Sequence, residues 1–177
     1  MGQIQNAFNA GVGSIIASKG IAEHLQDQAF DKIERQYAEA KDIGDEAKKL
    51  ADKAYKQANE EEAAENVIKE SNDKLEIKHP RDEKSGRFVN KAEYQRKLDM
   101  DIDEATKKLE EVHKQQDATA AQKQAFKNRM EMYNKRSALV QNAINRLPAK
   151  KRPEQVDLNK IITKEQWNAI DAIKENR

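Results

Sequence analysis

The 177-residue sequence has no cysteine, which excludes disulfides and thiolate metal centres and leaves the redox compartment open. Six glycines and three prolines are too few turn residues for a sheet-rich fold with many tight reversals. Aromatic side chains are scarce too, with one Trp, four Tyr and four Phe. Leu, Ile, Val and Phe together number 32, about 18% of the chain, below the roughly 20% at which a large globular core becomes doubtful. Net charge is also missing, because 33 Lys and Arg nearly cancel 32 Asp and Glu for a formal +1. Disorder usually couples low hydrophobicity to a large net charge, so this sign-balanced composition points to long helices instead. The fold class expected is all-α: elongated long helices with an antiparallel helical hairpin, no sheet, and dependence on a partner surface.

What is present begins with a compositional boundary. Residues 1–18 carry no charged side chain, although charged residues make up 37% of the whole. We therefore separate residues 1–20 as an uncharged amphipathic segment. It is too polar to span a bilayer, which takes about 20 mostly apolar residues. No basic residue precedes its apolar part, as a signal peptide requires, and Asn6 stands where a myristoylation motif wants Ser or Thr. Ile4, Phe8, Val12, Ile15 and Ile16 share one helical face, beside a strip of small residues that includes Ala7, Gly11 and Ser14. Two readings stay open: a membrane-active or assembly segment that touches lipid transiently, or a helix docked on protein.

Residues 21–70 read as one long Ala-striped helix. Ala22, Ile33, Gly44 and Tyr55 lie eleven apart, as do Leu25, Gln36, Ala47 and Ala58, and Ala29, Ala40, Ala51 and Glu62. An eleven-residue period gives a nearly straight stripe. So narrow a stripe leaves an isolated helix marginal in water, and the element needs a covering surface. Residues 71–90 hold Pro80 and Gly86 without a period and read as a loop with a short extended piece at 75–77. Asn90 and Glu93 form a capping-box pattern for the next helix.

Residues 91–147 carry heptad seams. Leu98, Ile102, Leu109 and Val112 make the first, and Phe126, Met130, Tyr133, Val140, Ile144 and Leu147 the second. Between them the register falls on Gln116, Thr119 and Lys123, where the apolar seam is lost. With Asp117 as a candidate N-cap, an antiparallel hairpin inside this region is the first reading and one unbroken helix the second. Residues 148–163 form a basic linker with Lys150, Lys151 and Arg152. Residues 164–177 form a final helix, opened by a Thr163/Gln166 capping box and anchored by Trp167, Ile170 and Ile173.

Chemistry-bearing patterns are weak. Asp99, Asp101, Asp103 and Glu110 imitate a calcium loop, but Glu104 replaces the glycine of the turn, and Ile102 and Leu109 already belong to a helical seam. His24, His79 and His113 lack the spacing of a zinc helix. No nucleotide fingerprint or nucleophile elbow occurs. We expect no catalytic residues, cofactor or metal. The stretch 127–152 is basic, through Arg129, Lys135, Arg136, Arg146 and Lys150–Arg152, but no aromatic platform accompanies it. DNA contact there is weighed below a solvated helical face.

The N-terminal run MGQIQNAFNAGVGSIIASKG, leading into a long Ala/Gln/Lys/Glu helix, resembles the short internal virion or DNA-pilot proteins of bacteriophages. The resemblance covers roughly residues 1–60. It implies an α-helical, non-enzymatic virion component, present in several copies near the portal or inside the capsid, with protein partners, self-association and a role in genome delivery. The alternative is a helical adaptor or scaffold, virion-borne or cytoplasmic, that binds partner helices without a membrane role. Under the lipid reading, a peptide of residues 1–20 gains helicity on anionic vesicles and releases trapped dye; absence of both removes the membrane step.

Overall fold

The computed structural model describes residues 2–154 and 156–175, with side chains from residue 23 onward. The order is α1 (Gly2–Leu75), α2 (Lys91–Asn145), a 3-10 turn (Ala149–Lys151), α3 (Leu158–Ile161) and α4 (Lys164–Lys174). The all-α expectation holds, and among the described residues the sole strand-like feature is an isolated bridge between Arg81 and Phe88. The described residues divide into two compact units, one of residues 2–47 with 126–175 and the other of residues 48–125. Each long helix contributes to both.

In the first unit, the seam of α2 closes on α1. Phe126, Tyr133, Ile144 and Leu147 are buried, as are Ala29, Ala40, Ile43 and Ala47 of α1. Ala29 packs with Ile144 and Leu147, flanked by Ile33 and Val140. The two helices run antiparallel: Arg136 pairs with Glu39 and Arg129 with Glu46, so one helix advances a heptad as the other retreats by one. The C-terminal segment completes this unit. The Thr163 hydroxyl accepts from the Gln166 amide nitrogen at 3.2 Å, while the Gln166 side-chain oxygen accepts from the Thr163 nitrogen at 2.9 Å. That capping box orients α4, and Gln166 Nε2 then donates to Asp45 of α1 at 2.9 Å. Glycine is needed opposite: a Cβ at Gly44 would sit 2.8 Å from Gln166 Oε1. Ile170 and Ile173 are fully buried, so the expected anchoring of the last helix is real, although Ile170 and Ile173 carry it more than the half-buried Trp167.

In the second unit, α1 and α2 form an antiparallel hairpin joined by residues 76–90. Lys53 donates to Gln122 at 3.1 Å, and Glu61 accepts from Gln116 and meets His113. Leu50, Gln57, Ala64 and Ser71 of α1 and Leu98, Ala105, Val112 and Thr119 of α2 are buried. The turn of the hairpin is built by Asp82, whose carboxylate accepts from Ser85 N at 2.7 Å and whose carbonyl accepts from Gly86 N at 2.8 Å. Gly86 has φ +65°, a left-handed conformation that favours glycine. The Asp82 carboxyl is held below its ordinary value by the Ser85 hydrogen bonds.

Three expectations need correcting. The hairpin does not turn near Asp117: α2 is one helix from Lys91 to Asn145. The polar seam residues there find partners without a break: the Gln116 side chain donates to Glu61 of α1, and the Thr119 hydroxyl donates to the Gln115 carbonyl of its own helix at 2.9 Å. The period of α1 is seven rather than eleven. Its buried positions include Ala29, Gln36, Ile43, Leu50, Gln57, Ala64 and Ser71, whereas Tyr55, Ala58 and Glu62 of the eleven-residue rows are exposed. Polar residues at three of those heptad positions hide the repeat from a hydrophobicity reading. The segment 75–77 is not extended, since α1 runs to Leu75; the strand-like pairing falls at Arg81 and Phe88.

Gln57 shows what the polar seam costs. Its Nε2 is buried without a partner, and a donor in that state is penalised by about 1–3 kcal/mol. Gln57→Leu is therefore expected to raise urea-unfolding stability by about 1–3 kcal/mol, and a loss of stability would contradict the unsatisfied amide.

Candidate protein-docking groove

A heptad seam leaves two flanks, and in the second unit one flank is open. There the helices line a groove of ≈ 630 Å³. Ala64, Ala105 and Val112 make its floor, each 5% exposed, because they are seam residues whose outer edges face the flank. Ala63 and Val67 extend the apolar surface, and Val67 remains 43% exposed. The rim is acidic: Glu60, Asp101, Glu104 and Glu111 surround a single cation, Lys108. Two rim carboxylates hold local partners, Glu60 with Lys56 at 3.6 Å and Glu104 with Lys108 at 3.1 Å, both exposed helix pairs of small energetic weight. Small floor residues let another helix approach closely, and a rim with an excess of carboxylates favours one that carries Lys or Arg.

The sequence-derived positions fall as follows. Ile4, Phe8, Val12, Ile15 and Ile16 lie outside the side chains described. Leu98 and Val112 are buried in the second unit, with Ile102 and Leu109 half-buried beside them. Phe126, Tyr133, Ile144 and Leu147 are buried in the first, with Met130 and Val140 half-buried. The first reading folds the two seams together in a hairpin inside 91–147; the structure instead packs both on α1 of the same chain, because the heptad of α1 matches theirs. Val112 alone of these also lines the groove. Lys150 and Lys151 belong to the 3-10 turn after Pro148. Arg152 folds back on the end of α2, its guanidinium donating to the carbonyls of Leu147 at 2.9 Å and Asn145 at 3.0 Å, so it caps that C-terminus. Much of the remaining basic stretch is engaged as well: Arg129 and Arg136 pair with Glu46 and Glu39, and Lys135 with Glu131, whose carboxyl that contact lowers.

The groove itself was not legible. Its signal in the sequence is the pair Ala63–Ala64 with Val67, followed far along the chain by Asp101, Glu104 and Glu111, and only the hairpin pairing brings the two stretches together. Among the described residues no helix is long and apolar enough to cross a membrane, and no group of three His, Asp or Glu side chains is placed to hold a metal ion. Compared with protein families, curated proteins and solved structures, the chain finds no match in any of the three.

Beside the groove, Glu61 is held below the ordinary carboxyl value of 4.5, first by the Gln116 hydrogen bond and then by His113. A carboxyl lowered by folding contributes stability above its unfolded value, and that contribution is lost as pH falls through the folded one. Thermal melts followed by circular dichroism should therefore show a steeper loss of stability below about pH 4.5 in the wild type than in Glu61→Gln. Parallel pH profiles would remove Glu61 from the account.

Proposed function

We propose that the protein is a non-enzymatic helical structural protein of a bacteriophage virion, assembling in several copies near the portal or inside the capsid and accompanying the genome on delivery. The observation that supports an assembly role is the acidic-rimmed, Ala-floored groove of the second unit, an apolar surface left uncovered after α1 and α2 have satisfied each other's seams. Exposed apolar residues add to it: Met132 and Leu139 stand one heptad apart on α2 at 53% and 68% exposure, and Phe30 and Tyr37 one heptad apart on α1. The virion assignment rests on the resemblance of residues 1–60 to internal phage proteins. The second reading, an adaptor or scaffold that docks partner helices without any membrane step, draws on the same groove and differs only in the role of residues 1–18.

Light scattering on the purified chain is expected to give multiples of 20.3 kDa. Val67→Glu with Ala63→Glu should lower that mass by charging the exposed apolar surface beside the groove floor. Removal of residues 1–18 separates the readings, since an adaptor keeps its assembly whereas the virion protein loses assembly or delivery. A 20.3 kDa monomer at every concentration that also fails to enter particles would overturn both.

A further inference from the structure

The connection between α1 and α2 carries a charge surplus that the hairpin does not use. From Lys74 to Lys97 eight Lys and Arg side chains stand against four carboxylates, in a chain whose total formal charge is +1. A hollow of ≈ 730 Å³ under the loop is charge-balanced, its four cations matched by Asp82, Glu83, Glu93 and Asp101. Lys74, for example, is held by Glu83 at 3.3 Å, which raises its pKa. The surplus therefore lies outside the hollow, on Lys78, Arg87, Lys91 and Arg96, with Glu76 as the one opposing carboxylate in that stretch. All four cations are exposed.

The same connection carries Phe88, 67% exposed. The ring is not loose: its backbone bridges to Arg81, the Arg81 guanidinium lies 4.3 Å from the ring centroid, and His79 meets it edge-on with centroids 6.3 Å apart. The turn beneath is pinned by the Asp82–Ser85 and Asp82–Gly86 hydrogen bonds. An exposed aromatic ring with a guanidinium over it, on a connection that also carries exposed cations, has the elements that stack an unpaired base and engage its phosphates. We propose that this loop binds single-stranded nucleic acid, with Phe88 as the stacking platform and Lys78, Arg87 and Lys91 as phosphate contacts. A duplex keeps its base faces stacked internally and has nothing to offer the ring. A lipid interface would want a continuous apolar face, whereas here Phe88 and Ile77 share the loop with Glu76, Asp82 and Glu83. This inference stands apart from the assembly role and from the groove.

Fluorescence anisotropy tests it on the full-length chain, using a labelled oligothymidylate, a duplex of equal length, and competing phosphatidylserine vesicles. The single strand is expected to bind more tightly than the duplex. Phe88→Ala should weaken the single strand about tenfold, leave the duplex unchanged, and be rescued by Phe88→Tyr. Lys78→Gln and Arg87→Gln should each flatten the dependence of log affinity on log salt by about 0.7, the value for a lost single-strand phosphate contact. Lys150→Gln with Lys151→Gln serves as the control and should change neither. Circular dichroism verifies that each variant keeps its helices. The proposal is overturned by no binding at low salt, by equal binding of duplex and single strand, by a neutral Phe88→Ala, or by vesicle binding that the oligonucleotide does not displace.

Discussion

The heptad contact between α1 and α2 is the constraint on which everything else depends. In the first unit the α1 side of that contact is built largely of small side chains, Ala29, Ala40 and Ala47, and in the second Ala64 and Ser71 share it with Leu50 and Gln57. Small residues contribute little transfer free energy each, roughly in proportion to the apolar area they hide. They allow two backbones to come close, and the larger side chains of α2, Phe126 and Tyr133 above all, fill what remains. A chain poor in Leu, Ile, Val and Phe can in this way satisfy two long helices, since each needs only a narrow stripe covered. Closure in cis also decides what is left for others: the flank of the seam instead of the seam itself.

Polar groups inside the contact oppose stability and favour one register. Gln36 and Gln57 each bury an amide nitrogen without a partner, and Thr119 turns its hydroxyl back onto its own helix. The Glu61–Gln116–His113 cluster is matched across the hairpin, and a slip by one heptad would leave it unpaired. Ala-rich seams are nearly degenerate to such slips because successive layers look alike. Singular polar pairs break the degeneracy, as buried polar residues do in coiled coils.

Charge is sorted by the same geometry. The stretch 127–152 looks like a polyanion site in one dimension, yet folding directs Arg129 and Arg136 onto α1 and Arg152 onto the end of α2. The connection between the long helices contains fewer cations in a row, but its outer ones meet few carboxylates. Location relative to the other helix separates a structural cation from an available one.

Residue spacing alone determined the helical class, the α2 register from Leu98 to Leu147, the capping box at Thr163 and Gln166, and the anchoring of the last helix, because these depend on periods and neighbours along one stretch of chain. It did not determine the register of α1, where Gln36, Gln57 and Ser71 occupy seam positions that hydrophobicity passes over, nor the continuity of α2 through Gln116, Thr119 and Lys123. Thr119 is satisfied by its own helix, and Gln116 becomes compatible with a seam only when α1 supplies Glu61. The groove and the cationic loop were decided by tertiary structure for the same reason: Ala63 and Glu111, or Arg81 and Phe88, become neighbours only when the chain reverses, and proximity across a reversal has no signature in local pattern.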